Sequence, residues 1–143
     1  PMADELFSAR AGEGASCNGS PIRVSACDDI HASMLVTGFP AHRVAAPLSN
    51  LYPFADFMTM TRAMRRDGSA ALDLCYVACG RFDGFWEPGL RAWDVAAGAL
   101  VVAEAGGRVT GYRGEPLALE AGRIVASNGR IHDRMIDVVA KYA

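Results

Sequence analysis

The chain has 143 residues, of which 51% are hydrophobic and 21% are charged, and its formal net charge is −2. This length and apolar content are typical of one globular domain with a buried core, not of a disordered chain. The small net charge gives no reason to expect nucleic acid or an anionic membrane as a partner. The longest apolar run, residues 95–103, is about half of the ~20 residues needed to span a bilayer.

Four cysteines occur, at positions 17, 27, 75 and 79. Cys75 and Cys79 are four residues apart, which places them on one helix face and not in a Cys-x-x-Cys loop. No second pair and no histidine cluster completes a zinc site. We therefore expect reduced thiols and a cytoplasmic protein.

The first thirty residues have the pattern of antiparallel β-structure. Asn18-Gly19, a pair preferred in tight hairpin turns, separates the apolar segments 15–17 and 21–24. An isolated ribbon of this kind is marginally stable in water. We expect residues 1–30 to form a hairpin of a larger sheet whose other strands lie upstream, and residues 31–143 to form an α/β subdomain.

Beyond residue 30, short apolar strands alternate with helical patterns, which predicts a layered α/β sandwich. The predicted strands are residues 33–37, 64–66, 83–87 and 124–127, and the predicted helices are residues 48–60, 69–79, 93–105 and 130–142. Ser69 is the expected N-cap of the second helix, and Gly80 ends it. The third helix is apolar on nearly all sides, so we expect it to be covered on both faces.

Asp94 stands in the first turn of the third helix. A carboxylate is favoured there by the partial positive charge and the free N–H groups of the helix N-terminus. If that helix start faces a cleft, Asp94 can hold a hard cation. The alternative is that Asp94 is only an N-cap.

Six segments, in order, carry a family resemblance. They are Asp4-Glu5-Leu6-Phe7, Gly12-Glu13-Gly14-Ala15, Asn18-Gly19-Ser20-Pro21-Ile22-Arg23-Val24-Ser25, Thr37-Gly38-Phe39-Pro40, Gly68-Ser69-Ala70-Ala71-Leu72-Asp73-Leu74, and Trp93-Asp94-Val95-Ala96-Ala97-Gly98 followed by Glu104-Ala105-Gly106-Gly107. Together they resemble the C-terminal half of the inositol monophosphatase family, which are magnesium-dependent, lithium-sensitive phosphatases. The family's upstream metal-binding Glu and its Asp-Pro-(Ile/Leu)-Asp-Gly-Thr motif are absent from these residues. The resemblance implies the C-terminal half of an α/β/α/β/α sandwich.

The resemblance also implies an activity and a set of site residues. The expected reaction is Mg²⁺-dependent hydrolysis of a small phosphate monoester, with inositol 1-phosphate as the first expected substrate. Fructose 1,6-bisphosphate, histidinol phosphate and a 3′-phosphonucleotide are alternative substrates within the family. Asp94 is implied as a metal ligand, Glu87 as a contact to substrate hydroxyls, and Gly68, Ser69 and Ala70 as the lining of the substrate pocket. The alternatives are a solvated strand-end acid for Glu87 and a plain cap at Ser69.

The remaining metal ligands and the groups that activate water belong to the motifs that are absent. We therefore assign no catalytic residue to this chain, and we expect the isolated chain to be inactive or nearly so. A missing N-terminal half and, by family analogy, a second copy in a homodimer are the expected protein partners. The alternative function is a non-catalytic polyol-binding remnant, or a half-domain that acts only with an N-terminal partner.

Other candidate residues are weaker. His31, His42 and His132 are isolated, with no Cys, Ser or carboxylate at a recognisable catalytic spacing. No Gly-x-Ser-x-Gly elbow, Walker A loop or Gly-x-Gly-x-x-Gly fingerprint is present. The basic cluster of Arg62, Arg65 and Arg66 is expected to be a solvated face, and it bears on an anionic substrate only if it lies at the cleft.

Overall fold

The computed structural model describes residues 2–39 and 50–143. Pro40 of the Thr37-Gly38-Phe39-Pro40 motif, His42 and the expected helix start at residues 48–49 lie outside this part. The strands are β1 Phe7–Arg10, β2 Gly14–Cys17, β3 Ser20–Pro21, β4 Met34–Thr37, β5 Ala63–Arg65, β6 Gly84–Pro88, β7 Arg108–Thr110 and β8 Arg123–Ser127. The α-helices are α1 Leu51–Met60, α2 Ala70–Ala78, α3 Ala92–Glu104 and α4 His132–Val139.

The first three strands form an antiparallel sheet in the order β1-β2-β3. The predicted hairpin is confirmed, because β2 and β3 pair across Asn18-Gly19 with Cys17 opposite Ser20. Asn18 and Gly19 have φ angles of 51° and 76°, the left-handed pair that an Asn-Gly hairpin turn requires. Membership of this sheet in a larger one stays a prediction.

The other five strands form a mixed sheet in the order β5-β4-β6-β8-β7. Strands β5, β4 and β6 are parallel, β8 pairs antiparallel with β6, and β7 pairs antiparallel with β8. The prediction missed β7, because three residues are too few to show a strand period. Successive residues of β6 alternate between the faces: Phe85 joins the core shared with α2 and α3, and Trp86 joins the core shared with α1 and α4.

The elements stack in four layers, which confirms the α/β prediction. Helices α2 and α3 pack on one face of the five-stranded sheet, and α1 and α4 pack on the other. The three-stranded sheet covers α3 from outside, and the Glu104 carboxylate accepts hydrogen bonds of 2.9 Å from the N–H groups of Gly12 and Gly14.

This cover does not reach the start of α3, where Trp93 is 80% exposed and Ala96 and Ala97 are exposed. The expectation of cover on both faces is therefore wrong for this end of the helix.

Helix boundaries follow local capping. Ser69 is the N-cap of α2 as predicted, and its hydroxyl accepts a hydrogen bond from the Leu72 N–H at 3.4 Å. Helix α4 is shorter than predicted, because the Asn128 side chain accepts hydrogen bonds from the N–H groups of Arg130 and Ile131 before the helix begins. Its last turn, Ala140–Tyr142, is a 3₁₀ helix.

Candidate functional site

A pocket of about 310 Å³ lies where β4 and β6 end and where α2 and α3 begin. The carboxyl ends of the parallel strands β4 and β6 meet at one edge of the sheet, the usual place for ligands in α/β folds. The pocket is lined by all of the residues predicted for the site, which are Gly68, Ser69, Ala70, Glu87 and Asp94. The tertiary structure thus brings together residues that are up to 26 positions apart in the sequence. Their chemical roles stay predictions.

Asp94 is the third residue of α3, and the N-cap is Arg91. The alternative that Asp94 is the N-cap is therefore wrong, because Asp94 lies inside the first turn and its side chain caps the backbone N–H of the N-cap residue. Its Oδ2 accepts a hydrogen bond of 2.8 Å from the Arg91 N–H. Within residues 2–39 and 50–143, no donor contacts Oδ1. That oxygen is free for a hard cation, the kind of ion that takes carboxylate oxygens.

Glu87 lies on β6 and is only 7% exposed, so it is not the solvated strand-end acid of the alternative interpretation. Its carboxylate lies directly against the backbone of Gly38, and a Cβ at Gly38 would overlap it. The pKa of Glu87 is raised to about 7, first by burial and then by the negative charges of Asp73 and Asp94, while Arg66 acts in the opposite direction. No donor in the described part of the chain bonds to this carboxylate.

The segment Gly68-Ser69-Ala70 gives the pocket a helix N-terminus. Gly68 has a φ of +93°, a conformation that residues with a side chain rarely adopt, and the place where a Cβ would stand is open space. Ser69 caps α2, and the remaining free N–H groups of the first turn are available to an anionic ligand. The cap and the pocket-lining interpretations therefore hold together.

A buried polar network joins the end of β4 to β6 and includes the carbonyl of Gly38, which lines the pocket. The Trp86 indole N–H donates to Asn50 Oδ1 at 2.6 Å. The Asn50 amide donates to Thr37 Oγ1 and to the Gly38 carbonyl, each at 2.7 Å. The Thr37 hydroxyl donates to the Trp86 carbonyl. This network fixes the end of β4 beside β6, and sequence reasoning missed Asn50 because only the fold brings it to these partners.

Two charged residues near the pocket were not assigned to the site. Arg66 lines the pocket, whereas Arg62 and Arg65 do not, so only one member of the basic cluster lies at the cleft. Asp73 on α2 is fully buried, and both of its carboxylate oxygens are without a hydrogen-bond partner among the described residues. Its pKa is raised to about 7, first by burial and then by the charge of Asp67. A signal for Asp73 exists in the sequence, because an acid stands among the apolar residues of a predicted helix.

His132 is not isolated, contrary to the prediction. Its Nδ1 lies 2.9 Å from Ser127 Oγ, and its Nε2 lies 2.9 Å from Thr110 Oγ1. All three side chains are buried, and burial lowers the pKa of His132 to about 4, with a smaller effect from Arg108. The Ser127–His132 pair has no access to a substrate, so it is a structural pair and not a nucleophile with its base.

Within the described ranges, no group of three or more His, Cys, Asp or Glu side chains is placed to hold a metal ion. No helix of this part of the chain has both the length and the apolar character needed to cross a membrane. All four cysteines carry free thiols.

The sequence model of the inositol monophosphatase family matches residues 1–143. The chain belongs to this family. The inositol-1-monophosphatase of Synechocystis sp. is 48% identical over 141 residues, which is 98% of this chain and 49% of that protein. The Nus factor SuhB of Escherichia coli is 46% identical over 138 residues, which is 95% of this chain and 51% of that protein.

The fold of the inositol monophosphatase family is confirmed by solved structures. The structure of inositol monophosphatase from Anabaena (Nostoc) sp. superposes with a TM-score of 0.95 at 48% identity, and the match covers 99% of this chain and 56% of that one. The chain spans about half the length of the curated relatives it matches. The resemblance to this family of phosphatases, drawn from six short segments, is thus confirmed.

Proposed function

We propose that this chain supplies one part of the active site of a Mg²⁺-dependent phosphoric monoester hydrolase, with inositol 1-phosphate as the first substrate to test. The observation that carries the proposal is the single pocket in which Asp94, Glu87 and the N-terminus of α2 meet. The name of the Synechocystis relative, inositol-1-monophosphatase, supports this choice of substrate.

Asp94 fits the metal by the chemistry of its free carboxylate oxygen. Mg²⁺ prefers oxygen ligands and takes one or two protein carboxylates, so further ligands have to come from outside the described residues. When bound, Mg²⁺ neutralises charge on the phosphoryl group and lowers the pKa of a bound water. Asp94 orients its oxygen for this ion, because the Arg91 N–H holds the other oxygen in place.

Glu87 and the start of α2 recognise the organic part of the substrate in this proposal. An ionised carboxylate accepts hydrogen bonds from two neighbouring hydroxyl groups, which suits a polyol. Glu87 is held for this by the Gly38 backbone on one side and by β6 on the other. Ser69 and Ala70 add the free N–H groups of the first helical turn.

The second candidate is a polyol-binding half-domain that is catalytic only with an N-terminal partner, or not at all. The uncovered start of α3, with Trp93 80% exposed, favours such a partner, because large exposed apolar side chains at a rim of this kind are common at interfaces. We also expect a homodimer, and the four free thiols support a cytoplasmic location.

The test is phosphate release from inositol 1-phosphate, with and without Mg²⁺, by the purified chain alone and after addition of the N-terminal half of the Synechocystis relative. We expect almost no release by the chain alone and Mg²⁺-dependent release by the mixture. Asp94→Asn should abolish release, whereas Asp133→Asn, at an acid on α4 that is 84% exposed, should not.

Two outcomes would contradict the proposal. Mg²⁺-dependent release by the chain alone would mean that a complete ligand set exists within these residues. Inositol binding by the mixture, seen as NMR shift changes at Glu87, without any phosphate release would favour the non-catalytic candidate.

A further inference from the structure

Asn50 is the N-cap of α1, but its side chain does not cap that helix. Asparagine is favoured at this position because its side-chain oxygen can accept a hydrogen bond from a free N–H of the first turn. The side chain of Asn50 makes no such bond to α1, all of which lies in the described part of the chain. Asn50 is only 2% exposed, and buried amides are almost always hydrogen-bonded. Contacts outside α1 therefore explain why an asparagine stands here.

The partners of Asn50 fix the orientation of its amide. The Trp86 indole N–H can only donate, and it donates to Asn50 Oδ1 at 2.6 Å. The Gly38 carbonyl can only accept, and it accepts from Asn50 Nδ2 at 2.7 Å. The same nitrogen donates to Thr37 Oγ1 at 2.7 Å, and the Thr37 hydroxyl donates to the Trp86 carbonyl. Asn50 thus joins β6, through its oxygen, to the end of β4, through its nitrogen.

The strand pairing does not extend to Gly38. In the parallel pair of β4 and β6, the last matched residues are Thr37 and Trp86, and the pairing of β4 with β5 ends one residue earlier. Gly38 lies beyond this last pair, and its carbonyl accepts from the Asn50 amide. The two residues are 12 positions apart, so this bond is a tertiary contact and not part of the sheet. The position of Gly38 therefore depends on Asn50 and not on the sheet alone.

Glu87 packs against the residue that Asn50 holds. A Cβ at Gly38 would overlap both oxygens of the Glu87 carboxylate, so the Gly38 backbone and this carboxylate are in direct contact. Both residues line the pocket. No donor in the described part of the chain bonds to Glu87, so packing and not hydrogen bonding determines where its oxygens lie. The contact with Gly38 is thus a constraint on the position of the pocket acid.

We propose that Asn50 is a positioning residue for Glu87: by tying Gly38 to β6, it holds the backbone against which the Glu87 carboxylate packs and keeps that carboxylate directed to substrate hydroxyls. Buried polar networks whose members are all paired favour one arrangement of the groups that they join. Asn50 acts from behind the pocket, because it is not among the residues that line it. This inference rests on the proposed role of Glu87 in substrate binding.

The first test follows the Glu87 carboxyl carbon by ¹³C NMR during a pH titration of the full chain without substrate. The pKa of Glu87 is raised to about 7, first by burial, and the Gly38 backbone is part of what buries it. Asn50→Leu adds no charge, but it removes the three hydrogen bonds of the amide. The carboxylate should then gain solvent, and its titration midpoint should fall by about one unit. A midpoint within about 0.3 units of the wild-type value would overturn the proposal.

Ser127→Ala is the matched control. It breaks the buried hydrogen bond between Ser127 and His132, neither of which lines the pocket. This variant should also lose stability, because it leaves a buried group unpaired, but the midpoint of Glu87 should not change. An equal fall of the midpoint in both variants would mean a general loosening of the fold and would overturn the proposal. Both variants leave unaltered the other charged groups that act on Glu87, which are Asp73, Asp94 and Arg66.

A second substitution at the same position covers a failure to fold. If Asn50→Leu does not fold by circular dichroism, Asn50→Ser replaces it. The shorter side chain cannot bond both strands, and it leaves room for water beside the Trp86 indole and the Gly38 carbonyl. The midpoint of Glu87 should fall in this variant too, by about half a unit. An unchanged midpoint in Asn50→Ser would overturn the proposal.

The second test is kinetic and uses the enzyme completed with the N-terminal half of the Synechocystis relative. Asn50→Leu should raise the KM for inositol 1-phosphate about fivefold and change kcat by less than about twofold. In a Glu87→Gln background the same substitution should leave KM unchanged, because the carboxylate that Asn50 positions is gone. An equal rise of KM in both backgrounds would overturn the action of Asn50 through Glu87.

The two tests separate this inference from the proposed function. If no mixture releases phosphate, while the Glu87 midpoint falls in Asn50→Leu and not in Ser127→Ala, the proposed function fails and the placement of Glu87 by Asn50 stands. If phosphate is released but the midpoint is unchanged in Asn50→Leu, the proposed function stands and this inference fails.

Discussion

Two regions of this molecule bury polar side chains, and they do so in opposite ways. Around His132, both ring nitrogens have a hydroxyl partner at 2.9 Å, one from Ser127 and one from Thr110. At the pocket, Glu87 and the buried Asp73 have no donor in the described part of the chain, and the pKa of each is raised to about 7. The first region is satisfied, and the second stores electrostatic strain.

The unpaired acids lie at or next to the pocket, whereas the hydrogen-bonded His132 does not line it. Satisfied polar networks stabilise one packing arrangement, and they need no ligand to do so. Unsatisfied groups persist where the surrounding structure enforces them, and such positions concentrate at functional sites. The hydrogen-bonded His132 therefore has a structural role between β8 and α4. The unpaired acids Asp73 and Glu87 indicate a functional site where α2 meets β6.

The largest expected effect is at the pocket. In the enzyme completed with an N-terminal half, Asp94→Asn should lower turnover by about a thousandfold, because a metal ligand acts on several kcal/mol of transition-state charge. The stability of the chain should change by less than about 1 kcal/mol, because the Asn oxygen can still accept from the Arg91 N–H. Steady-state kinetics and urea unfolding measure the two effects.

Glu87→Gln is the matched comparison for Asp94→Asn. We expect it to lower turnover by only about tenfold, because a neutral acceptor replaces a charged one at the substrate hydroxyls. Equal losses of turnover in the two variants would count against the metal role of Asp94.

The next effect is on the pH dependence of stability, to which the two regions contribute slopes of opposite sign. His132 has a pKa of about 4 in the fold against 6.5 ordinarily, so the unfolded chain binds more protons between these values. About 3 kcal/mol of stability is then lost as the pH falls from 6.5 to 4. The pKa of Asp73 is raised from 3.8 to about 7 in the fold, so the folded chain binds more protons than the unfolded chain between these values. About 4 kcal/mol of stability is then lost as the pH rises from 3.8 to 7.

Variants separate the two slopes. The double variant Asp73→Asn/Glu87→Gln should become more stable with rising pH between 4 and 6.5, because the two raised acids then no longer oppose His132. His132→Gln should become less stable with rising pH, because His132 then no longer opposes the raised pKa values of Asp73 and Glu87. Urea unfolding at intervals from pH 4 to 8 measures both slopes, and parallel curves for the two variants would show that the regions do not differ in this way.

A smaller effect is expected where the backbone approaches Glu87. Gly38→Ala places a methyl group on the Glu87 carboxylate, so we expect a loss of about 2 kcal/mol in stability and weaker substrate binding. Gly68→Ala adds the same group to the same pocket in open space, and its cost of about 1 kcal/mol comes from the φ of +93° alone. An unchanged KM in Gly38→Ala would show that substrate binding does not depend on the position of the Glu87 carboxylate against Gly38.

The smallest effect is at the cap of α2. Ser69→Ala should destabilise the chain by about 0.5 kcal/mol, the low end for an N-cap, because the hydrogen bond to the Leu72 N–H is long at 3.4 Å. Thermal unfolding measures the change. A loss above 2 kcal/mol would show that Ser69 supports the pocket by more than capping.

The sequence by itself determined the α/β class, the hairpin at Asn18-Gly19, the cap at Ser69 and the family. These features depend on local patterns, because turn chemistry, capping and hydrophobic period act over a few residues. Asp94 and Glu87 were also identified from the sequence, through a resemblance carried by short motifs. The sequence did not predict the short strand β7 or the exact start of α4, because three-residue strands and capping side chains leave little periodic signal.

Only the tertiary structure decided how these residues meet. The partners of Asn50, the two hydroxyls around His132 and the burial of Asp73 depend on contacts between distant segments. Burial and charge proximity shift a pKa, and neither can be read from the spacing of residues along the chain. The sequence thus named Asp94 and Glu87, whereas the packing of the chain buried Glu87 and Asp73 and raised the pKa of each.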